Sequence, residues 1–111
     1  MLPENFTAIV ARNERWSGKA ATEPYEAGWA REVVIFVRAL QAPTGPQPKA
    51  YVEISPDGMH WLREGTAIDM PTEADGLAFA RVKHFGNWLR LAAEFEPGAG
   101  SVVLVTVHSK A

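Results

Sequence analysis

A chain of 111 residues, 47% hydrophobic and 22% charged, fits one domain with one core and is unlike a disordered segment. A net charge of −2, with Arg12, Arg15, Lys19, Arg31 and Arg38 each near acidic residues, leaves no footprint for a nucleic-acid backbone. With no cysteine, disulfides, thiolate metal sites and cysteine nucleophiles are all excluded, so core packing or subunit contacts must supply the stability.

The chain opens Met1-Leu2-Pro3-Glu4-Asn5-Phe6, without the basic start and apolar run of a secretory signal. The longest apolar run, Val33 to Val37, is too short to cross a bilayer. The expectation is a protein made in the cytoplasm without a signal peptide or membrane insertion. A particle assembled in a cell and later released would share these features.

Period-2 patterning predicts strands near 6–11, 17–22, 32–41, 49–55, 59–64, 77–84, 88–95 and 102–109. The segment from Glu26 to Glu32 carries at most one helical turn. Val33 to Val37 reads as strand because its β-branched residues cluster and no helix cap precedes them. Pro43, Pro46 and Pro48 exclude their loop from a ladder. Ala50, Val52 and Ile54 point to one face, and Tyr51 and Glu53 to the other. Ser55-Pro56-Asp57-Gly58 is a tight turn in which Pro presets one φ, Gly accepts a positive one, and Ser and Asp cap backbone groups. Glu73–Gly76 and Phe85–Asn87 are further breaks. Leu89, Leu91, Ala93 and Phe95 share a face opposite Trp88, Arg90, Ala92 and Glu94. Glu96–Gly100 is expected to close a hairpin into a β-branched last strand. About eight short strands predict an all-β, antiparallel, jelly-roll-like sandwich spanning 1–111 as a single domain. Such a sandwich must guard its edges, a role that suits the prolines of 43–48 and the charges of 12–15.

Chemistry is sparse. None of Ser17, Ser55, Ser101 and Ser109 sits in a Gly-x-Ser-x-Gly elbow, and His60, His84 and His108 lack metal-pair spacing. Asp57 lacks the calcium-loop companions, Asp69, Glu73 and Asp75 read as a solvated loop, and Gly98-Ala99-Gly100 lacks the helix and lysine of a phosphate loop. No catalytic residue, metal site or cofactor is expected. The aromatic residues carry more: Trp16, Trp29, Trp61 and Trp88, with Tyr25 and Arg90, are the candidates for contact with a partner protein or a glycan. Trp16 and Trp29 flank a loop containing Thr22–Glu26 and read as anchors of a docking patch or as a closure of one end of the sandwich. Core or subunit-interface packing is favoured over a sugar platform for these rings.

Two stretches carry a resemblance. Val52-Glu53-Ile54-Ser55-Pro56-Asp57-Gly58-Met59-His60-Trp61-Leu62-Arg63-Glu64-Gly65-Thr66 and Arg81-Val82-Lys83-His84-Phe85-Gly86-Asn87-Trp88-Leu89-Arg90-Leu91 resemble small β-sandwich proteins encoded among virion structural genes of tailed phages and related particles. The resemblance covers the chain from about residue 20 onward. It implies a non-enzymatic part, such as a capsid decoration or tail-associated protein, that binds a protein lattice and forms homo-oligomers. It implies no catalytic residue. Ser-x-Asp-Gly followed by Trp also occurs in sialidase repeats and in sugar-binding sandwiches; the alternative is a carbohydrate-binding module that uses exposed tryptophans, Trp61 with Trp88 or Trp16 with Trp29, as a stacking platform.

Overall fold

The computed structural model describes residues 5–111. Nine strands follow one another: β1 (Asn5–Trp16), β2 (Lys19–Ala21), β3 (Tyr25–Glu26), β4 (Glu32–Ala39), β5 (Lys49–Ser55), β6 (Leu62–Asp69), β7 (Leu77–Lys83), β8 (Trp88–Glu94) and β9 (Ser101–Lys110). One sheet has the order β1-β9-β4-β7, and the other β2-β8-β5-β6 with β3 also on β8. All pairings are antiparallel. Counting β2 and β3 as one interrupted strand, this is the eight-stranded jelly roll the patterning predicts.

The interruption has a chemical cause. Pro24 has no N–H to offer a ladder. Just before it, the chain leaves β8 with Thr22 still attached: Thr22 N donates to Leu91 O at 2.9 Å, and Thr22 Oγ1 accepts from Leu91 N at 3.1 Å. A buried side chain thus satisfies a backbone donor that the broken strand has abandoned.

The core lies between the sheets. Val33, Ile35, Val37, Val103, Val105 and Val107 enter it from the four-stranded sheet. Ala50, Val52, Leu89, Leu91 and Ala93 enter from the other, on the face the alternation assigns to them.

Several boundaries differ from expectation. β1 runs on to Trp16, past the predicted end at residue 11, through two register shifts and Asn13 at φ 49°. Bulges break period 2, so the strand outlasts its pattern. The strand expected at 59–64 begins only at Leu62, because the Asp57 carboxylate binds the N–H groups of Met59 and His60 and holds them out of the ladder. The proline loop is tied down by one isolated bridge, Thr44 with Gly100. Glu96–Gly100 closes no hairpin: β8 and β9 lie in different sheets, so this turn crosses the sandwich.

Candidate functional site

The six residues singled out by sequence separate into three places. Trp16 is 2% exposed, a core residue whose Nε1 donates to Glu14 Oε1 at 3.2 Å. It cannot anchor a docking patch, and the expectation is corrected. After the bulges of β1, Trp16 stands opposite Ser101 and points inward, so it closes the end of the sandwich.

Tyr25 and Trp29 do meet, at the other end. Trp29 is 45% exposed and forms a T-shaped pair with Phe6, ring centres 5.1 Å apart at 82°. Phe6, Thr7, Tyr25 and Trp29 line a shallow groove of about 470 Å³. Tyr25 is fixed in it by Ser109 Oγ, which donates to its hydroxyl at 3.0 Å. Phe6 escaped the sequence reading, being one apolar residue in a strand of mixed pattern.

Trp61, Trp88 and Arg90 belong to the outer face of the five-stranded sheet, where each ring has a neighbour within the chain. The Arg90 guanidinium lies 4.3 Å from the Trp61 ring centre, and its Nε donates to Glu53 Oε1 at 2.7 Å. Arg63 covers Tyr51 in the same way at 3.8 Å. The turn passes over Trp88 so closely that a Cβ at Gly58 would sit 3.4 Å from the indole. Between these stacks lies a concavity of about 710 Å³ with Ala92 and Ala21 among its lining residues and Lys19, Lys49 and Glu94 around it. Its charges are paired or solvated and its rings are partly covered.

The Ser55–Gly58 turn is built as its residues predict. Ser55 Oγ accepts from Asp57 N and Gly58 N at 3.2 and 2.8 Å and donates to Asp57 Oδ1 at 2.9 Å. Asp57 Oδ1 accepts from the N–H groups of His60 and Met59, and Oδ2 pairs with His60 Nδ1 at 2.6 Å. The backbone N–H of His60 first, then that of Met59, then the His60 ring hold this carboxyl far below the usual carboxylate range. The other two histidines lie elsewhere: His84 follows β7, and His108 sits on β9 between Thr7 and Thr106 with its ring edge-on to Phe36. Among the described residues no three His, Asp or Glu side chains converge as metal ligands would.

The outer face of the four-stranded sheet was missed by the sequence reading. Ile9, Thr106, Phe36 and Phe79 form one cross-strand row, and Leu104, Arg38 and Leu77 another. Phe36 and Phe79 stack at 5.8 Å. Ile9, Leu77 and Phe79 are 43%, 64% and 51% exposed. The signal was available: Val33 to Val37 is apolar on both faces, which a half-buried strand does not require.

Comparison with known proteins gives the fold a relative. The chain is similar to the SPBc2 prophage-derived protein YomS, whose crystal structure superposes with a TM-score of 0.67 over 100% of this chain and 96% of that one, at 8% sequence identity. No protein-family model matches the sequence, and no curated protein matches it. At that identity the likeness concerns architecture, and the jelly roll read from strand order is shared with a protein of prophage origin. No helix among the described residues is long and apolar enough to cross a membrane.

Proposed function

We propose that this protein is a non-enzymatic assembly module of phage type, a capsid decoration or virion-associated protein that binds a protein lattice. The observation that carries the reading is the apolar belt on the outer face of the four-stranded sheet. Single exposed apolar residues are ordinary, but contiguous ones mark contact surfaces. Here Phe36 and Phe79 are cross-strand neighbours with Leu77 two residues along β7, Ile9 follows across Thr106 in the same row, and Val34 and Leu104 lie on the same face. A small cysteine-free sandwich gains stability from covering such a face by mass action. The fold shared with a prophage-derived protein supports the same reading.

The test is co-sedimentation with the particles released by the producing cells. Protein in the particle fraction, displaced by Ile9→Asp, is the expected result. Protein that is only ever free, at every stage of particle production, overturns the reading.

A second reading, glycan binding, is favoured by one observation: Trp29 stands exposed beside the groove shared with Phe6 and Tyr25. Trp61 supports it less, since Arg90 already covers one face of its ring. Titration with polysaccharides should then shift the tryptophan fluorescence of the wild type and not of Trp29→Ala.

A further inference from the structure

The sandwich has four kinds of sheet edge, and three are guarded by shifts, breaks or bulges. β1 carries two register shifts along its pairing with β9. β2 and β3 are three and two residues long, separated by Pro24. β6 is bulged against β5, with Gly65 at φ 123°. These are the usual devices that stop an edge from recruiting another strand.

β7 has no shift, break or bulge, and only the charges of Arg81 and Lys83 guard it. All seven of its residues pair with β4 without a shift, and it contains no proline or glycine. Its unused backbone groups can be assigned from its neighbours. Ala39 donates to Gly76 O at 3.0 Å and accepts from Asp75 N at 2.8 Å, while Leu40 donates to Val102 O on the other side at 2.8 Å. Directions alternate along an antiparallel ladder. The odd-numbered residues of β4 therefore turn toward β7 and engage Ala78, Ala80 and Val82. The N–H and C=O groups of Leu77, Phe79, Arg81 and Lys83 turn outward. Among the described residues no loop supplies a backbone hydrogen bond to them.

We propose that this edge pairs antiparallel with β7 of a second copy, on a two-fold axis through Ala80. The inference deepens the assembly reading and rests on it. Ala80 is the midpoint of Leu77–Lys83, so this register alone engages the whole strand on both sides. It sets outward-bonding residues against outward-bonding residues, as a ladder requires. It also sets Phe79 against Arg81 of the second copy, and Leu77 against Lys83. No like charges meet. Within one chain the Arg81 guanidinium already lies 5.2 Å from the Phe79 ring centre, so the same cation–ring attraction is available across the axis. Centring on Arg81 would oppose two guanidinium groups and leave Leu77 unpaired. The product is one continuous sheet in which the two apolar belts join.

Light scattering after size exclusion, over a concentration series of the full chain, reads the state directly. A dimer that dissociates on dilution is expected. Phe79→Lys places a lysine against Arg81 at two symmetry-related positions and raises the dissociation constant roughly tenfold or more. Phe79→Glu loses the same ring but faces Arg81 with the opposite charge, and it retains the dimer. Circular dichroism establishes that both variants fold. The absence of cysteine allows Lys83→Cys to carry one spin label per chain. At about 3.3 Å per residue, the offset between Leu77 and Lys83 puts the two labelled positions about 20 Å apart. A monomer at every concentration, a dimer indifferent to Phe79→Lys, equal loss in both variants, or a label distance far from that value overturns the proposal. A monomer that still sediments with particles removes this contact and leaves the assembly reading standing; a dimer that never meets a particle does the reverse.

Discussion

The two outer faces of this sandwich are made by the same alternation and have opposite characters. On the five-stranded sheet, aromatic rings and charges are matched within the chain: Arg90 lies between Trp61 and Glu53, Arg63 covers Tyr51, and the turn covers Trp88. On the four-stranded sheet, Phe36 and Phe79 have each other, and their neighbours Ile9 and Leu77 have mainly solvent. The first face is covered by contacts within the chain, while the second keeps exposed apolar side chains. The difference lies in the aliphatic side chains: the rings and charges of the four-stranded face have partners too, Phe36 with His108 and Arg38 with Asp75, but Ile9 and Leu77 stay 43% and 64% exposed.

That contrast can be broken at its root. Leu91 is fully buried between the sheets. Leu91→Ala should cost about 2–5 kcal/mol, lowering the urea midpoint in one cooperative transition followed by tryptophan fluorescence. Two separate transitions would mean that the faces do not share one core. A smaller effect falls on the five-stranded face. Arg90→Ala strands the Glu53 carboxylate, whose side chain is 18% exposed, and uncovers Trp61. A loss of about 1 kcal/mol is expected after allowance for solvent screening, with coupling to Glu53→Ala in a double-mutant cycle. An additive cycle would contradict the internal matching.

Asp57 sharpens the same point through pH. Its folded-state pKa is depressed, so its contribution is fully present above the ordinary carboxylate range and fades as pH falls toward the folded value. Asp57→Ala should lower the melting temperature by a few degrees at neutral pH, and the gap to wild type should close only in strong acid. A gap that stayed constant down to that acidity would assign the effect to something other than ionisation. The smallest effect on stability belongs to the apolar face. Ile9→Ser should change the unfolding free energy by less than about 0.5 kcal/mol, while weakening retention on particles. A large loss of stability would make Ile9 part of the fold.

Much of the fold was legible because burial on one side of a strand imposes a period that survives in the residues. Ala50, Val52, Leu89 and Leu91 point where their spacing says. The Ser55–Gly58 turn was legible because its chemistry is local, with every partner within a few residues. The site was less so. Trp16 faces inward with Val10 because the two one-residue irregularities of β1 cancel, but between them the alternation breaks, with Val10 and Ala11 both buried, and the inward face cannot be followed to residue 16 by pattern. The Glu96–Gly100 turn has the residues of a hairpin, yet its flanking strands bond to β5 and β4, far away in sequence.

By itself, the order of apolar and polar residues determined that the chain forms short antiparallel strands, where most of them lie, and which side of each is buried, because these depend on neighbours one or two residues apart. Only the tertiary structure decided which strands share a sheet, which tryptophans are covered, and which edge and face remain open. Those outcomes depend on contacts between residues distant along the chain, such as Phe36 with Phe79 or Arg90 with Glu53, and no local pattern encodes them.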